Sequence, residues 1–148
     1  MQEVLQRFLA LGSLGILLEV LFTGFWQIFI GDFTAKAKTN LWMFIIYGTG
    51  GLLIEQISSL TELHFLVKAA IDTVFIFSFE FATGWISELI FGKCLWKYTK
   101  PGSETEVHSR SIMGFIRWDF AGFWMILSIV FELYWPHIKE IINLVSRL

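Results

Sequence analysis

Hydrophobic residues in this chain come in long blocks, broken by a few short polar clusters. The first block runs from Phe8 to Ile30 with Glu19 inside it, and ends at Gly31-Asp32 and the polar connection Thr34 to Asn40. The second, Leu41 to Leu60, has a polar far end where Glu55, Gln56, Ser58, Ser59, Thr61 and Glu62 crowd together; it leaves the membrane early or lines a wet cavity. A third, Phe65 to Phe91, is interrupted by Lys68, Asp72, Glu80 and Glu88. Residues 93–111 are polar and carry the turn signal Pro101-Gly102, and the fourth block runs from Ile112 to Tyr134, closed by Trp135-Pro136. A helix needs roughly 20 apolar residues to cross a bilayer, so each block predicts a span. The tail, residues 136–148, places Ile138, Ile141, Ile142 and Val145 on one helical face, the pattern of an amphipathic helix lying in the interface. The expected fold is an all-α integral membrane protein: one transmembrane domain over residues 1–148, a four-transmembrane-helix bundle with a C-terminal amphipathic interfacial helix.

Composition supports this. Of 148 residues, 55% are hydrophobic and 16% charged, against about 25% charged in a soluble domain. The first block is too long for the apolar core of a cleavable signal peptide and reads as a retained span. Net charge is −2, and no basic block suggests a nucleic-acid partner. The partner implied is the lipid bilayer, and for a bacterial chain the inner membrane. Lys and Arg are more numerous beside the first and third connections than beside the termini and second connection, which predicts termini facing away from the cytoplasm.

Glu80 lies between Phe79 and Phe81. An ionised group in hydrocarbon is costly unless paired or protonated, so an intramembrane acid marks a site to be explained. At 100° per residue, Thr73, Thr83, Gly84 and Ser87 share the Glu80 face, while Phe75, Phe79 and Phe81 point elsewhere. Gly12, Gly15, Thr23 and Trp26 share the face of Glu19, and Gly48, Gly51, Ser59 and Glu62 that of Glu55. In the fourth block Gly114, Trp118, Ala121, Met125 and Ser128 fall with Glu132, and Arg117 at its edge. Small residues let membrane helices approach closely. Gly12, Gly15, Gly48, Gly51, Gly84 and Gly114 are therefore expected to turn inward, bringing Glu19, Glu80 and Glu55 together near the bundle centre. Arg117 is the expected partner of one glutamate; Asp119, Tyr47 and Trp118 complete the candidate binding residues. Trp42, Trp96 and Tyr98 are expected at the membrane interface.

Other chemistry is thinly represented. No His lies deep in a span and no E-x-x-H or H-x-x-x-H spacing occurs, so no metal site and no cofactor are expected. The single cysteine, Cys94, has no base beside it, and Ser78, Ser87 and Ser128 have no paired His. Acid-base work by Glu80 with Asp119 remains open.

The stretches EVLFTGFW (Glu19 to Trp26), LWMFIIYGTGGLLIEQI (Leu41 to Ile57), EFATGWISELIFGKCLWKYT (Glu80 to Thr99) and MGFIRW (Met113 to Trp118) resemble a family of small membrane proteins. It comprises bacterial proteins that carry the label ABC-transporter type IV permease and animal proteins called transmembrane protein 229. The resemblance covers about Gly12 to Trp135, and implies that Glu19, Trp42, Tyr47, Gly48, Glu55, Glu80, Thr83, Gly84, Trp96, Tyr98, Gly114 and Trp118 occupy signature positions. The family's usual Trp-Asp-Tyr-Ser reads Trp96-Lys97-Tyr98-Thr99 here, which leaves a role for that Asp without its residue.

The chain contains no G-x-x-x-x-G-K-[ST] phosphate loop, so ATP-driven transport would need another subunit. The leading expectation is a transporter or permease-like subunit, a homo-oligomer or bound to a larger transporter partner, whose buried acids handle a cation, proton or lipid headgroup. The alternatives are a membrane-embedded enzyme of lipid metabolism using the same carboxylates, and a non-catalytic accessory or sensor subunit.

Overall fold

The structure, a computed structural model, describes residues 2–59, 62–100, 102–103 and 105–145. The expected end of the second span at Leu60, the turn residue Pro101, the Val145 side chain and residues 146–148 with Arg147 lie outside the described residues. The chain is mostly helical, with α1 (Gln2–Phe29), α2 (Leu41–Ser59), α3 (Phe65–Phe91) and α4 (Ala121–Val145). Gln2–Phe29, Leu41–Ser59 and Trp118–Leu144 are long and apolar enough to cross a membrane. Many large apolar side chains on them face outward, among them Leu17, Phe25, Ile45 and Ile126. A water-soluble monomer rarely carries so much exposed apolar surface, whereas lipid solvates it.

Local chemistry sets the helix limits. The His64 imidazole caps α3 by accepting from the Leu66 N–H, and Gly92, at φ +69°, ends it in a left-handed turn. Two expectations fail at α4. Its first residue is Ala121, not Ile112, because Met113 and Gly114 both have positive φ (54° and 80°), which a right-handed helix cannot contain. Residues 111–117 instead form a hairpin, β1 (Ser111–Ile112) against β2 (Ile116–Arg117), followed by a 3-10 turn over Trp118–Phe120. Nor does Trp135-Pro136 end the helix, which continues through Pro136 to Val145, so the tail is no separate element. Pro136 has no N–H to donate, leaving the Glu132 carbonyl without its helical partner.

The chain divides into two compact units, residues 1–55 with 139–148, and residues 56–138. In the first, α1 and α2 run antiparallel, with Phe8 beside Gly48 and Gly12 beside Phe44. The approach is so close that a Cβ on Gly15 would lie 2.3 Å from the Tyr47 ring. In the second unit the hairpin sits on α3. Phe115, fully buried, fills the space left by Gly84 and meets Phe81 edge-on at 5.4 Å. Beyond α3, Thr99 pairs with Val107 and the His108 N–H donates to the Tyr98 carbonyl. The turn there has Gly102 at φ +80° and the Ser103 N–H on the Lys100 carbonyl.

Gly15 and Gly122 make opposite test positions, since a Cβ at Gly122 meets nothing within 4 Å. Gly15→Ala is expected to cost about 1–3 kcal/mol by overpacking, and Gly122→Ala to leave stability unchanged or raise it by up to about 1 kcal/mol. Thermal unfolding of both variants in detergent checks the contrast.

Candidate intramembrane carboxylate site

Glu80 lies midway along α3, and the chain returns to it through the segment after Gly92. The Tyr98 hydroxyl donates to Glu80 Oε1 at 2.8 Å. Three contacts hold Tyr98 in place: its N–H donates to the Gly114 carbonyl at 2.9 Å, its ring meets Phe120 edge-on, and the neighbouring Trp96 Nε1–H donates to the Phe115 carbonyl at 3.1 Å. The stretches around Glu80, Tyr98 and Gly114, distant in sequence, are therefore one packed assembly. Glu80 Oε2 is buried and accepts no hydrogen bond among the described residues. A carboxyl with one filled and one open oxygen, in an apolar wall, can take up a proton or reach a cation or a headgroup ammonium.

The expected pairing of Arg117 with a glutamate does not form. Its guanidinium binds Asp119 with two hydrogen bonds, Nε to Oδ1 at 3.0 Å and Nη2 to Oδ2 at 2.5 Å, and lies 4.2 Å from the centre of the Phe120 ring. Arg110 adds a longer contact to Asp119 at 3.6 Å. The partners are two positions apart, and the 3-10 turn after β2 brings them together before α4 begins. That turn also explains Trp118. Expected on the Glu132 face of a helix, it is 58% exposed, because the chain is not helical from 112 to 117. Trp96 and Tyr98, expected at the interface, spend their polar atoms inside the protein, while Trp42 is exposed. Lys97, standing where the resemblance leads one to expect Asp, pairs with Glu88 at 2.9 Å.

The acids of the first unit do not converge. Glu55, 5% exposed, accepts from Arg7 at 2.8 Å and Lys139 at 3.0 Å. Glu19 accepts from the Thr39 hydroxyl at 2.7 Å. Glu19 lies twelve positions beyond Arg7 on α1, about 18 Å along the axis, so two of the three expected partners sit toward opposite ends of the helix pair. The mistaken assumption is that a shared face implies a shared depth. Tyr47 packs on Gly15 and supports the helix contact.

A second acidic group in residues 56–138 escaped helical-face reasoning. Asp72 on α3 is 1% exposed, and its carboxyl is within hydrogen-bonding reach of Glu132 on α4. The Ser58 hydroxyl donates to Glu132, and beside the pair Thr73 Oγ1 lies 3.5 Å from Ser128 Oγ and 3.6 Å from Met125 Sδ. The available signal is Lys68 four residues before Asp72, which in isolation reads as a self-neutralising helical pair. Lys68 instead donates to the Ser58 carbonyl at 3.0 Å.

Among the described residues no group of three or more His, Cys, Asp or Glu is placed to hold a metal. Cys94 is buried, and burial pushes its thiol above the ordinary value, which disfavours the nucleophilic thiolate. The model of one protein family, described as "Putative ABC-transporter type IV", matches residues 7–148. No solved structure matches the chain.

Tyr98→Phe removes the hydroxyl that donates to Glu80 Oε1. The expected cost is about 1–3 kcal/mol, the penalty for a buried polar group left unpaired, and it should shrink when Glu80→Gln is already present. A double-mutant cycle on unfolding in detergent measures this coupling.

Proposed function

From the premise that this chain belongs to the family described as "Putative ABC-transporter type IV", we propose that it is a multi-pass transporter subunit whose Glu80–Tyr98 site handles a cation, a proton or a lipid headgroup. The observation that carries this is the open Glu80 Oε2, buried in α3 while Oε1 is held by Tyr98. A structural acid tends to acquire donors for both oxygens, whereas a site that loads and unloads keeps one free. In this proposal α3 also crosses the membrane, as the third of four spans, despite Lys68, Asp72, Glu80 and Glu88. Isolated charges at mid-membrane cost about 2.5–3.5 kcal/mol each on insertion scales, and the contacts of Glu80 with Tyr98 and of Glu88 with Lys97 reduce that cost. In this reading the end of α4 lies against the headgroups.

The Arg117–Asp119–Arg110 group and exposed Trp118 lie at the start of the fourth span, where charged and aromatic residues face headgroups. Since the chain carries no phosphate loop, coupling to ATP requires a larger transporter partner. Glu19 and Glu55 serve in holding α1 and α2 rather than in the site.

Reconstituted vesicles containing the full chain, assayed with entrapped pH-sensitive and cation-sensitive dyes and for lipid exchange between leaflets, test the proposal. Glu80→Gln is expected to abolish the flux seen with wild type while the amount of folded protein stays equal. Loss of folded protein would instead make Glu80 a packing residue, and a chemically altered lipid pool would make the chain an enzyme.

A further inference from the structure

Neither oxygen of Asp72 accepts a hydrogen bond from a donor of the chain among the described residues, although the side chain is almost completely buried. Lys68, on the preceding turn, has turned to the Ser58 carbonyl. What Asp72 does reach is the carboxyl of Glu132, and a carboxylate has no hydrogen to give. Two ionised carboxylates in contact repel, and nothing in a low-dielectric interior weakens the repulsion. Glu132 already receives the Ser58 hydroxyl proton, so the missing hydrogen belongs on Asp72.

We propose that Asp72 and Glu132 form a one-proton binding site, in which the protonated Asp72 carboxyl donates to the Glu132 carboxylate and the pair takes up and releases that proton as a unit. The facing groups are consistent with a single negative charge. Lys68 on α3 offsets the charge that remains, Ser58 at the end of α2 donates to Glu132, and Thr73 and Ser128 supply further hydroxyls alongside. Loading adds one proton between two carboxylate oxygens; release leaves two repelling charges, which drives the pair apart or draws Lys68 toward it. The site is distinct in its residues from Glu80, and rests on the transport reading only for its use, as the place where proton occupancy is linked to the state of α3 and α4.

Infrared spectra of the full chain in lipid bilayers at neutral pH test this. The wild type is expected to show the carbonyl stretch of a protonated carboxyl that shifts on exchange into D2O, and Asp72→Asn and Glu132→Gln should each lose it. Asp72→Asn is expected to unfold at the wild-type temperature, since its amide N–H replaces the shared proton, and Glu132→Gln provides a second variant should the first fail to fold. Glu80→Gln should keep the Asp72-dependent band even where it loses flux, which separates this site from the proposed function. A band insensitive to both substitutions, a band that disappears on adding sodium, or a marked loss of stability in Asp72→Asn, as expected of a carboxylate paired with Lys68, would overturn the proposal.

Discussion

A carboxyl group buried in an apolar interior must find a donor, a cation or a proton inside the protein, because its surroundings offer none. Much of this chain's local architecture follows from how its acids meet that demand. Glu55 meets it with two cations, Arg7 and Lys139, and so becomes a fixed end-point of the α1–α2 pair. Glu80 meets it with a neutral donor, Tyr98, and among the described residues for one oxygen only. Asp72 meets it with another acid, which requires a hydrogen from solution. The three solutions differ in reversibility. Two cations on one carboxylate resist separation in a poor solvent for charge, whereas a phenol or a shared proton can be exchanged.

The hairpin at 111–117 is central to the second arrangement. Gly114 takes a left-handed conformation that places its carbonyl on the Tyr98 N–H, and Phe115, the next residue, enters the space beside Gly84. Tyr98 is thereby set against Glu80, and Trp96 is anchored on the Phe115 carbonyl. A short non-helical insertion thus positions a donor that no helix supplies. It also brings Arg117 to Asp119, so this guanidinium is paired within its own turn.

The helices were legible because their signal is coarse: α3 coincides with the block Phe65 to Phe91, and α1 and α2 agree within a few residues at most ends. The glycine faces of α1 and α2 were legible for the same reason, since 3.6-residue periodicity fixes direction around an axis. Position along the axis, and contacts made by loops, leave no periodic trace. Hence Glu19 and Glu55 were placed together although about 18 Å of helix separates their levels. Met113-Gly114 was read as helix because apolar composition hid a turn that only backbone angles reveal. Tyr98 was read as an interface anchor because its target lies eighteen positions away, and nothing in the helical period of α3 signals that Asp72 meets Glu132 of α4.

The central claim is that Glu80 stands inside the protein with one oxygen held by Tyr98 and the other buried without a donor among the described residues. A density map of the full chain in a lipid nanodisc, at a resolution that shows side chains and ordered water, measures it most directly. The account predicts the Tyr98 hydroxyl on one Glu80 oxygen and a water, ion or headgroup feature on the other. A Glu80 side chain turned into the acyl chains, or an arginine closing over its second oxygen, would contradict it.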